Sequence, residues 1–74
     1  MTIRVQLPPR ISLTDIQLKQ LKYLAEGLTT KEISTKRNVG ISTVKRMNET
    51  LFAKFNAMNR TQLVALGFKY GFLE

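Results

Sequence analysis

The triplet Asn38-Val39-Gly40 constrains this chain more than any other part of it. Asparagine and glycine tolerate the left-handed backbone region that other residues avoid, so the triplet suits a tight turn. Ahead of it Thr29 and Glu32 stand three apart, in the order of a capping box. There the hydroxyl accepts from the backbone amide three residues on while the carboxylate reaches back. A helix therefore starts near Thr30 and has room for only about two turns. Beyond the triplet, from Ile41 or Ser42, the residues Val44, Met47, Leu51 and Phe55 recur at spacings of three, four and four. That is the narrow apolar stripe of an amphipathic helix. At about 100° per residue, its far side carries Ser42, Lys45, Arg46, Glu49 and Ala53, with little bulk among them.

The flanks are helical as well. From Thr14 the residues Leu18, Leu21, Leu24, Ala25 and Leu28 fall within one broad face until Gly27 interrupts the segment, while Ile16 and Tyr23 lie on the opposite side. Asn59 with Gln62 is a weaker capping pair, and a fourth helix then runs to Tyr70, where Gly71 is a natural left-handed stop. This helix carries Leu63, Val64, Leu66, Phe68 and Tyr70, more apolar circumference than one core contact requires. Leu63, Leu66 and Tyr70 are therefore expected to face a second copy of the chain. Pro8 and Pro9 make residues 1–12 an extended or irregular arm, in which Thr2 to Leu7 has some strand character. The expectation is an all-α fold of four helices over residues 13–74 behind a short extended N-terminal arm, and 74 residues leave room for one domain.

Twelve Lys and Arg against five Asp and Glu give a formal charge of +7. Seven of the basic and two of the acidic residues fall between Lys31 and Arg60, so the excess concentrates on the helix, turn and helix described above. A B-form major groove about 12 Å wide accepts a helix of about 10–12 Å diameter, provided that no large apolar residue leads. Ser42, Lys45, Arg46 and Glu49 meet that condition. Lys45 or Arg46 suits guanine edges, and Glu49 suits a cytosine amino group or the orientation of a neighbouring arginine. Thr30, Lys31 and Thr43, near helix starts, suit backbone phosphates. Taken singly, each of these side chains is as well explained by solvation of an exposed helix face, Thr29 and Glu32 by capping, and Val44, Met47, Leu51 and Phe55 by a core.

Three stretches, LTDIQLKQLKYLAEGLTTKEIS, STVKRMNETLFAKF and NRTQLVALGFKYGFL, resemble the LuxR-type helix-turn-helix domain over residues 13–73. The resemblance implies a four-helix bacterial or phage transcription regulator whose third helix is the recognition helix and whose fourth commonly dimerises. It implies base contacts at Lys45 and Arg46, with Glu49 on the next turn, and a thymine-methyl contact at Val44 besides its place in the core. It also implies backbone contacts at Thr30, Lys31 and Lys54. The chain departs from the family pattern at several positions. Gln17 and Lys19 stand where acidic residues are usual, Met47 where histidine is common, Gly40 where a capping serine is usual, and Arg37 in a leucine-like core position. Members commonly add a receiver or ligand-binding domain. None fits before residue 13, so the chain is expected to resemble the stand-alone members and to take no small-molecule input.

Several classes are disfavoured. Histidine and cysteine are absent and the five carboxylates show no paired spacing, which argues against an enzyme, a metal site or a cofactor. No phosphate-binding glycine loop is present. No run of about 18 apolar residues occurs, and the prolines interrupt the start, so a cytoplasmic protein is expected and neither export nor membrane insertion. A membrane-surface role would want one long basic amphipathic helix. Single-strand or RNA binding would want exposed aromatics, for which Tyr23 and Phe52 are the candidates. Two readings lead: a sequence-specific reader of double-stranded DNA acting as a homodimer, and an antagonist that uses the same fold to capture another transcription factor or a polymerase subunit.

Overall fold

The computed structural model describes residues 10–74; the expectations for the arm before Arg10 lie outside the described residues. Four helices follow in order, α1 Asp15–Ala25, α2 Thr30–Arg37, α3 Ile41–Phe55 and α4 Arg60–Lys69. Their boundaries follow local chemistry. Thr14 and Gln17 form a reciprocal capping box at the start of α1, and Thr29 and Glu32 form one at the start of α2. Asn59 Oδ1 accepts from the Gln62 amide at 2.8 Å to open α4, while Gln62 Oε1 accepts from the Met58 amide. α1 gives way to a left-handed Gly27 at φ 87°, and the segment after α4 turns at Gly71, φ 83°.

The turn between α2 and α3 differs from the sequence expectation in one respect. Asn38 alone takes the left-handed conformation, at φ 55°, whereas Gly40 is extended at φ −70° and serves as the N-cap of α3 without a side-chain cap. The asparagine tolerates this conformation because its short polar side chain can bond locally.

The core gathers Leu21 and Leu24 of α1, Ile33 of α2, Val44, Leu51 and Phe55 of α3, Leu63 of α4, and Leu73 beyond it. Each full burial of such a side chain contributes about 1.5–3 kcal/mol before the entropy cost is subtracted. α1 and α4 meet at Gly67, which is buried; a Cβ there would lie 2.8 Å from Leu73 Cδ1 and 3.4 Å from Leu21 Cδ2. The absence of a side chain is what lets the C-terminal segment fold back. The amides of Phe72 and Leu73 both donate to the Gly67 carbonyl, and Phe55 then stacks on Tyr70 at 6.4 Å and meets Phe72 edge-on at 5.4 Å.

This return of the chain corrects the expected pairing face at Leu63. Leu63 has no accessible surface, whereas Leu66 and Tyr70 pack against the core and remain partly exposed. Much of the apolar surplus of α4 is absorbed because the helix packs against α1, α3 and the C-terminal segment. What remains outside is Ala65 and Phe68, the latter 48% exposed.

Candidate nucleic-acid interface

α3 sorts its residues cleanly. Val44, Leu51 and Phe55 are buried, while Ser42, Thr43, Lys45, Arg46 and Glu49 are exposed. Ser42, Lys45, Arg46 and Glu49 occupy the side away from the buried stripe, so the structure brings together on one helix face the four residues singled out for base edges. Val44 is different: it has no accessible surface, so the thymine-methyl contact expected of it is withdrawn. Its position at the centre of the buried stripe leaves it no side to present.

The residues expected on phosphates divide as well. Thr30 is half-buried and Lys31 exposed in the first turn of α2, and Thr43 lies in the first turn of α3. Lys54 sits near the far end of α3, where its ammonium donates to the Ser12 carbonyl at 2.7 Å and to Gln17 Oε1 at 2.8 Å. It ties the end of α3 to the capped start of α1, and the neutral Gln17 accepts from both Lys54 and the Thr14 amide. Glu32 remains in its cap: the hydrogen bond from the Thr29 backbone, then that from its hydroxyl, holds the carboxyl below the usual glutamate range, with a smaller contribution from Lys36. The charge beside Lys31 is thus fixed on the helix start.

Two features of the bundle that carries α3 escaped the sequence pattern. Arg60 donates from Nη2 to the carbonyls of Leu24 and Leu28, each at 2.7 Å, closing the open C-terminal end of α1 with the first residue of α4. Gln20 is fully buried; its Nε2 donates to the Val44 carbonyl at 3.0 Å and to Asn48 Oδ1 at 2.6 Å, and its Oε1 accepts from Arg37 Nη1 at 2.5 Å. Arg37, in its leucine-like position, thereby has a partner. A buried glutamine breaks no periodicity that could announce it, and only the oddity of Arg37 hinted that something polar lay beneath α2.

Two helices joined by a left-handed turn, the second turning a polar and basic face outward on a supporting bundle, define a helix-turn-helix domain. Residues 11–66 match the model of the bacterial regulatory proteins of the luxR family. The chain is 40% identical over 63 residues to a probable transcriptional regulator, ycf29, of Pyropia yezoensis, a match covering 85% of this chain and 28% of that protein. Among solved structures it superposes on the response regulator ChrA of a heme-sensing two-component system with a TM-score of 0.82 at 23% identity, over 88% of this chain and 32% of that one. It superposes on VqmA of Vibrio cholerae, solved with ligand and DNA, with a TM-score of 0.79 at 25% identity, over 96% of this chain and 31% of that one. The chain belongs to the luxR family of bacterial regulatory proteins, and its four helices form a helix-turn-helix domain. It spans about a third or less of the length of each of these relatives. Among the described residues, no helix is long and apolar enough to cross a membrane.

Proposed function

We propose that this chain regulates transcription by binding double-stranded DNA sequence-specifically, with α3 lying in the major groove. The observation that carries the reading is the separation of faces on α3, where Ser42, Lys45, Arg46 and Glu49 stand exposed opposite a fully occupied apolar stripe. Lys45 and Arg46 donate to base acceptors, Glu49 accepts from a base amino group or holds Arg46 in place, and Ser42 serves at the leading end. Thr30, Lys31 and Thr43 take phosphates and set the register. Lys54 would have to leave Ser12 and Gln17 to join them, so the proposal does not rest on it. A formal charge of +7 supplies the non-specific attraction that brings the domain to the duplex.

Two copies pair through the outer side of α4, around Phe68 and Ala65 rather than Leu63, Leu66 and Tyr70, and present two α3 helices to successive grooves about 34 Å apart. The support is the exposure of Phe68, a large apolar ring that stands with Ala65 among the exposed Thr61, Gln62 and Lys69. Sedimentation on and off DNA tests this: a monomer under both conditions removes the pairing.

Selection of duplexes from a random pool tests the main reading. Enrichment of a common sequence is expected. A chain that enriches no sequence, and whose weak binding survives Lys45→Ala/Arg46→Ala, is instead a protein-capturing antagonist.

A further inference from the structure

The buried polar chain Arg37–Gln20–Asn48 lies directly beneath the face assigned to DNA. Gln20 Nε2 grips α3 at Val44 and Asn48, one helical turn apart. The next residues after these two are Lys45 and Glu49, both outward. Arg37 of α2 holds the other end of the same carboxamide, so one side chain from α1 meets both helices of the motif. Asn48 is half-buried and Gln20 has no accessible surface.

We propose that Gln20 is a positioning residue for sequence discrimination, fixing the rotation and depth of α3 so that Lys45, Arg46 and Glu49 meet base edges in one register. This rests on the DNA reading given above. Packing and hydrogen bonding hold a helix in different ways. Apolar contacts are non-directional, and a helix resting on leucines can roll or slide by a fraction of a residue at small cost. Two hydrogen bonds to fixed atoms of α3 resist both motions, because they weaken steeply as angle and distance depart from ideal. A roll of about 20° moves a side-chain tip about 5–6 Å from the helix axis by about 2 Å, enough to break a bidentate base contact. Contacts to phosphate, made by flexible side chains and delocalised charge, survive such a shift.

Arg37 completes the device. The Gln20 carboxamide would be free to flip end for end if its oxygen were unpartnered, and a flip would present an acceptor to the Val44 carbonyl. The guanidinium demands an acceptor, so it fixes the amide orientation and with it the donors facing α3. Arg37 lies in the last turn of α2, where its charge also favours the helix dipole.

Replacing a buried polar group and its partner together by apolar residues commonly costs no stability, which separates positioning from mere support. The test uses the full chain, a duplex enriched by the unaltered protein from a random pool, and a scrambled duplex of the same composition. Gln20→Leu/Arg37→Leu is expected to melt cooperatively near the original temperature and to bind the scrambled duplex almost as before. Its ratio of selected to scrambled affinity is expected to fall about tenfold, the scale of one mismatched base pair. Asn48→Ala, at a half-exposed position that folding tolerates, removes one of the two grips and is expected to lower the ratio about threefold. Arg37→Lys on its own, whose ammonium also demands an acceptor from Gln20, is expected to keep most of the ratio. An undiminished ratio in the double variant and in Asn48→Ala overturns the proposal, as does a loss of affinity shared equally by both duplexes. Failure of the unaltered chain to enrich any duplex overturns the DNA reading itself, and the positioning role with it.

Discussion

α3 and α4 place their apolar residues in opposite ways. α3 buries one narrow stripe and leaves a polar and basic face outside, whereas α4, the more apolar of the two in its spacing, packs most of that surplus at least partly against the core. The difference comes from what surrounds each helix. α4 is enclosed by α1, α3 and the returning C-terminal segment, with Gly67 allowing the close approach and Leu73 closing over it. α3 is supported from beneath by α1, α2 and α4, and among the described residues its outer face stays exposed. Apolar surplus in a short helix therefore points to a partner only after the chain's own termini have been accounted for.

The largest effect is expected from the inner side of α4. Leu63→Ala removes a fully buried side chain and is expected to cost about 2–5 kcal/mol. A core of this size rarely supplies more than about 3–5 kcal/mol in all. The variant is therefore expected to lose most of its helical circular dichroism at 37 °C; a melt within a few degrees of the original would mean that Leu63 faces outward, as the periodicity suggested.

Gly67→Ala sharpens the same contrast. Overpacking costs about 1–3 kcal/mol, while alanine in a helix interior restores about 0.5–1 kcal/mol, so a net loss of about 1 kcal/mol is expected. Urea denaturation measures it. An increase in stability would show that Leu73 moves aside freely and that α4 is less tightly walled.

At the start of α3 the effect is smaller and of opposite sign. Gly40 is extended, carries no side-chain cap, and has open space around a would-be Cβ, whose nearest neighbour is Ser42 Oγ at 3.8 Å. Gly40→Ser is expected to stabilise the chain by about 0.4–1 kcal/mol through a cap and a less flexible unfolded chain, read as a higher melting temperature. A lower one would mean that residue 40 needs a conformation only glycine adopts.

Much of the fold was legible in the residues. Thr29 with Glu32, Gly27, Gly71 and the stripe from Val44 to Phe55 each state a local rule that the packing obeys, and those rules fix four helices and the outward face of α3. Where sequence reasoning went astray, the cause was non-local. Leu63 is withdrawn from any pairing face because the core of the other helices closes over it, and Lys54 is occupied because Ser12 and Gln17 lie within reach of its ammonium. Gln20 is buried because Arg37 and Asn48 satisfy it, a condition that no single position records.

The outer face of α3 is tested most directly by fluorescence anisotropy on one enriched duplex at two salt concentrations. Lys45→Ala/Arg46→Ala would be compared with Lys22→Ala/Lys69→Ala, two exposed lysines of α1 and α4. Both variants remove two positive charges and are expected to melt as the unaltered chain does. The first is expected to weaken selective binding at least tenfold, since a good bidentate pairing with a base is worth about 1–3 kcal/mol, and to flatten the salt dependence. The second is expected to change affinity little. Equal losses in the two variants would mean that net charge alone holds the DNA and that α3 reads nothing.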